Sequence, residues 1–164
     1  MKSFAALTFL LALATASPIE VVSRDMDEAS AALAKRDTEI VYLSNCVHAT
    51  SCCNGDTYTS GIFYYPASGQ SGSAPAASNQ CTVTTDNYAW WEQDGRQCSF
   101  STGVTFTTHI DSDAQSRPLY SWSGWGTNGY KNFNCYRDNG HKLFATSGPE
   151  WANTCSSVYY CLPQ

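Results

Sequence analysis

Eight cysteines constrain this chain more than any other feature, because Cys46, Cys52, Cys53, Cys81, Cys98, Cys135, Cys155 and Cys161 all fall after residue 45 of its 164 residues. An even number confined to one continuous stretch reads as a disulfide framework of four bridges, formed in an oxidising compartment. The number of possible pairings is too large for the sequence to choose among them. A bridge between the adjacent Cys52 and Cys53 is strained, so each is expected to bond a distant partner and tie two segments together at one point. Each bridge is expected to contribute about 2–4 kcal/mol, chiefly by restricting the unfolded chain.

The upstream stretch is of a different kind. Lys2 and the apolar run over 4–14 have the form of a signal peptide, too short to cross a bilayer, with the small residues Ala14 and Ala16 placing cleavage after Ala16. Residues 17–36 contain no cysteine and no aromatic residue, and they end in Lys35 and Arg36. That pair resembles the dibasic sites cut by kexin-type proteases. The expected organisation is a signal peptide over 1–16, a propeptide over 17–36 and a mature disulfide-rich β domain over 37–164. No later stretch approaches the apolar length of a membrane span, so the product is expected to be secreted and extracellular, without membrane insertion.

Charge narrows the partners. Residues 37–164 carry Lys131, Lys142, Arg96, Arg117 and Arg137 against seven aspartates and three glutamates, a net charge of −5. Such a surface offers no electrostatic footprint for phosphate, so no nucleic acid is expected as a partner.

Short runs of β-branched and aromatic residues recur between Gly, Asn, Asp and Ser clusters, and no window keeps a helical apolar period beyond about two turns. The fold class expected is all-β, a small disulfide-stapled antiparallel β-sandwich or barrel. Strands are expected over 39–43, 61–65, 81–85, 88–92, 96–101, 104–110, 131–137, 141–146 and 156–161. One helical turn is expected over 111–115, capped by Asp111. Asp94-Gly95 and Asn139-Gly140 are dipeptides suited to two-residue hairpin turns. If so, Trp91 faces Cys98 across the first hairpin and Cys135 faces Phe144 across the second. The polar stretch over 67–79 reads as an exposed flexible loop.

Three kinds of chemistry deserve weighing. Cys46, His48, Cys52 and Cys53 are zinc-ligating types in close succession, but their spacing matches no zinc ribbon or finger and secretion favours oxidation, so neither metal nor other cofactor is expected. A secreted ribonuclease needs acid–base groups and a cation to steady a phosphorane, and Glu92, His109, His141 and Arg96 (or Arg137) are the residues that could supply them. The bland reading is that these are ordinary polar residues at strand ends and turns, and the negative charge opposes an RNA substrate. Catalysis is therefore not the first expectation.

Aromatic content is the larger anomaly, with five Trp, ten Tyr and five Phe in 37–164. Trp122, Trp125 and Tyr130 stand in a glycine-rich segment, 121–130, that reads as a loop. Rings there either cap an open end of the fold or form a recognition surface. Sugar rings stack on flat aromatic faces, so a lectin-like role is one expectation.

The segment over 128–140, the opening Tyr42-Leu43-Ser44-Asn45-Cys46-Val47 and the ending Val158-Tyr159-Tyr160-Cys161 resemble a group of small secreted cysteine-rich fungal proteins. The kexin-like site fits that resemblance. What the resemblance implies is an effector- or elicitor-like protein without enzymatic activity, binding a host or competitor component outside the producing cell. It carries no site residue over to this chain. The partner expected is thus an extracellular protein or glycan, with a homodimer through an exposed sheet edge as a further possibility.

Overall fold

The computed structural model describes residues 39–50, 55–67 and 72–164. The leader, the Lys35-Arg36 site, Cys52, Cys53 and part of the 67–79 stretch lie outside the described residues. Among the described residues nine strands form one antiparallel sheet: β1 (Ile40–Thr50), β2 (Thr57–Tyr65), β3 (Gln80–Thr84), β4 (Arg96–Ser99), β5 (Thr105–Ile110), β6 (Trp122–Thr127), β7 (Asn132–Arg137), β8 (Lys142–Gly148) and β9 (Trp151–Pro163). The order across the sheet is β3-β2-β1-β9-β7-β6-β5-β4, with β8 paired to β9 beside this path. The fold is all-β, as expected, and the sheet curls until its two edge strands nearly meet as a barrel.

A disulfide closes the seam. Cys81 of β3 and Cys98 of β4 are bonded with their Cα atoms 5.9 Å apart, so the two edges of the sheet are clamped although they share no ladder. The other two bridges lie inside ladders. Cys46 faces Cys155 on the β1–β9 pair and Cys135 faces Cys161 on the β7–β9 pair, each with Cα atoms 4.0 Å apart. Six of the eight cysteines are therefore consumed among themselves. The expectation for Cys52 and Cys53 falls on positions outside the described residues. Cys46 is also removed as a zinc thiolate.

β9 organises the barrel because it is long enough to serve two neighbours on one edge. Its first half pairs with β8 and its second half with β7, while β1 runs along the other edge. This overrides the second expected hairpin. Gly140 takes a positive φ, but β7 and β8 each pair with β9 rather than with each other, so Cys135 meets Cys161 and not Phe144. Residues 88–92 are not a strand, and Trp91 does not pair with Cys98. The helical turn lies at Ala114–Ser116, preceded by Asp113 rather than capped by Asp111. The stretch read as a flexible loop is pinned in its described part: Gly72 N–H donates to the Leu143 carbonyl at 2.5 Å and the Tyr65 hydroxyl to the Ser73 carbonyl at 2.9 Å.

Two apolar clusters result. The barrel interior holds Val41, Leu43, Ile62, Trp91, Phe106, Ile110, Phe133 and Tyr159, drawn from alternate positions of the strands. A second cluster, Cys46, Phe63, Tyr65, Leu143, Phe144 and Cys155, comes from the opposite faces of β1, β2 and β9 together with β8. These strands are buried on both faces, which is why they read as nearly continuous aromatic and aliphatic runs. One end of the barrel is stoppered by Trp91, whose indole N–H donates to Asn45 Oδ1 at 3.2 Å. Nearby, the Tyr159 hydroxyl donates to Glu92 at 2.5 Å and accepts from the Gln115 amide at 2.9 Å.

Candidate functional site: an outward aromatic ladder

Residues 121–130 are not a loop. Trp122–Thr127 is strand β6, and its glycines serve contact rather than flexibility. A Cβ on Gly126 would lie 2.6 Å from the Phe106 ring, and one on Gly124 would lie 2.2 Å from the His109 carbonyl oxygen. β6 thus packs with its backbone close to β5. A register shift between Trp122 and Gly124 breaks the alternation, so Trp122 and Trp125, three residues apart, both stay on the solvent side.

Each tryptophan begins a row of side chains across the outer surface. Trp122 is opposite Tyr136 on β7, Tyr136 opposite Tyr160 on β9, and Tyr160 opposite Tyr42 on β1. Four aromatic residues therefore follow one another across four strands, at a strand spacing of about 4.8 Å. Tyr136 and Tyr160 stack with centroids 5.4 Å apart and planes 21° from parallel. Trp122 is 46% exposed and the tyrosines are half-buried, so the row rises from the surface at its β6 end. Arg117 lies 5.8 Å over the Trp122 ring, held there by Asp111 and Asp113. In the second row, Trp125 stacks on His109.

Polar groups border the ladder at its β1 end. His141 meets Tyr42 edge to face at 5.9 Å and lies 3.3 Å from Asp138 Oδ1. The Asp138 carboxylate is nearly buried; Oδ1 also accepts from Asn139 N–H at 2.8 Å, while Oδ2 has no hydrogen-bond partner among the described residues. Burial first, and then this carboxylate, hold the Tyr42 and Tyr160 hydroxyls above their ordinary pKa, so both are neutral donors at physiological pH. Across the ladder's edge, Asn139 donates to the Tyr120 hydroxyl at 2.7 Å.

No protein family, curated protein or solved structure gives a match to this chain. Function must therefore be argued from the site itself.

Each of the ribonuclease candidates is engaged by a partner within the protein, Arg137 donating to the Arg117 carbonyl. Glu92 is bonded to Tyr159, His109 to Asp94 at 2.5 Å, His141 to Asp138, and Arg96 to Gln93 at 2.6 Å and the Trp90 carbonyl at 3.0 Å. Tyr130, 87% exposed, sits at the β6–β7 turn and is outside the ladder. Tyr42, Tyr136, Tyr160 and Asp138 are the residues that sequence reasoning passed over. Only cross-strand register assembles them, and no local spacing carries it.

Proposed function

We propose that this chain is a secreted, non-enzymatic binding protein that recognises a neutral glycan of a host or competitor outside the cell that makes it. The observation that carries the reading is the row Trp122-Tyr136-Tyr160-Tyr42 on the outer sheet face. Aromatic rings offer apolar faces to sugar C–H groups, and bordering hydroxyls and carboxylates satisfy sugar hydroxyls. Tyr160, Tyr42 and His141, the last oriented by the nearly buried Asp138, supply those polar groups, and Trp122 supplies the exposed ring. A net charge of −5 does not hinder a neutral polysaccharide, whereas it repels nucleic acid.

Extracellular action is supported by three disulfides among the described residues, which persist in oxidising surroundings. Among those residues no helix is long and apolar enough to cross a membrane. The signal peptide and the Lys35-Arg36 site belong to the same reading. The test is retention on insoluble chitin, β-glucan and cellulose by the parent protein and by Trp122→Ala and Tyr160→Ala variants of unchanged circular dichroism. Retention of the parent on one polymer, lost in the variants, supports the proposal; no retention of the parent, or equal retention of all three, contradicts it.

A further inference from the structure

At the barrel end away from Trp91, the described residues line a pocket of about 280 Å³. Its wall is built from the interior residues Val41, Phe100, Phe106 and Phe133, all buried, together with Tyr64 and Val104. Its rim is Ser78, Asn79, Thr102 and Asn128, contributed by three connections: the turn before β3, the β4–β5 turn and the β6–β7 turn. The volume is near the lower end of the range for small-molecule sites, about 300–1,000 Å³, and barrel mouths are a usual place for them.

The chemistry of the wall selects the ligand. None of the ten lining residues carries a formal charge. The nearest ionic groups neutralise each other: Glu39 accepts a hydrogen bond from the Tyr64 hydroxyl at 2.6 Å and is paired with Lys131. A charged molecule would lose its hydration here without gaining a counter-ion. A neutral apolar one gains from leaving water. At the rim, the Asn128 side-chain carbonyl already accepts from the Tyr130 and Lys131 amides, each at 3.0 Å, so its NH₂ group is the donor left for a ligand oxygen.

We propose that this mouth binds a neutral, mostly apolar small molecule, about the size of a two-ring aromatic, with one hydroxyl or carbonyl held at the Asn79–Asn128 rim. The site is separate from the outer ladder, and neither reading depends on the other.

Calorimetric titration of the secreted protein with 2-naphthol tests it, with naphthalene-2-carboxylate as the charged counterpart. Saturable binding at one site is expected, with a dissociation constant below about 1 mM. The carboxylate should bind at least about tenfold more weakly. Ser78→Phe and Val104→Trp, which fill the mouth from its rim and wall, should each weaken 2-naphthol by about tenfold or more. Ser78 is exposed, so its replacement decides the matter even if Val104→Trp fails to fold. Absence of saturable binding, equal affinity for the carboxylate, or undiminished affinity in Ser78→Phe would each overturn the proposal.

Discussion

The Trp125 indole lies flat against the His109 imidazole across the β5–β6 pair, with ring centroids 4.0 Å apart and planes 16° from parallel. His109 is in turn fixed by Asp94 at 2.5 Å. One face of Trp125 is therefore occupied by the protein itself, and its row lacks the run of rings that follows Trp122. His109→Ala should cost about 0.5 kcal/mol, the size of a solvent-facing cross-strand pair, and leave glycan retention in place. Urea denaturation and the polymer pull-down read the two effects separately.

The seam of the barrel depends on Cys81 and Cys98, since β3 and β4 share no ladder. Replacing both by serine should destabilise the fold by about 3 kcal/mol, the value for a closed loop of this length. Amide hydrogen exchange should rise first in these two edge strands. Equal protection of β3 and β4 before and after replacement would mean that the seam holds without the bridge.

Gly124→Ala should be among the most damaging single changes, because the added Cβ meets backbone atoms of His109 and Ile110 that cannot move without breaking the β5–β6 ladder. A loss of about 3 kcal/mol or more is expected in chemical denaturation. Gly126→Ala strikes the Phe106 ring instead and should cost less if that ring can tilt.

These two glycines explain why β6 could not be read from its sequence. Glycine beside exposed tryptophan looks like a loop locally, and the reason for it is a neighbouring strand. The turn dipeptides tell a similar story. Gly95 and Gly140 adopt positive φ, +69° and +77°, but Asp94 and Asn139 do not, so neither dipeptide makes the type I′ turn, and a turn does not choose the strand that its flanks will pair with. β9, with thirteen residues, makes that choice by offering an edge to both β7 and β8. Fold class and most strand positions were legible because period-two patterns are local: β5, Thr105–Ile110, alternates half-buried and buried without a break. Disulfide pairing and the aromatic ladder were not, because both are properties of register.

Burial raises the pKa of Tyr42, Tyr64, Tyr65, Tyr159 and Tyr160, with Tyr65 pushed up to about 12 and Tyr159 further raised by its bond to Glu92. Between the ordinary value of about 10 and these raised values, the unfolded chain releases protons that the folded protein keeps. Stability should therefore be unaffected by these groups below about pH 9 and fall as pH rises from there through about 12. Denaturant midpoints measured across that interval, together with phenolate absorbance, check the sign. A midpoint that rises with pH would refute it.

The claim on which the functional account rests is that a sugar chain lies on Trp122, Tyr136, Tyr160 and Tyr42. Nuclear magnetic resonance titration of the ¹⁵N-labelled protein with a soluble oligosaccharide of the retained polymer tests it most directly. The account predicts shifts concentrated at the Trp122 indole N–H and at the backbone amides of Tyr136, Tyr160 and His141, with little change at Tyr58, Tyr88 and Trp90, exposed aromatics that are not in the ladder. Shifts centred on those three residues, or none at saturating oligosaccharide, would contradict it.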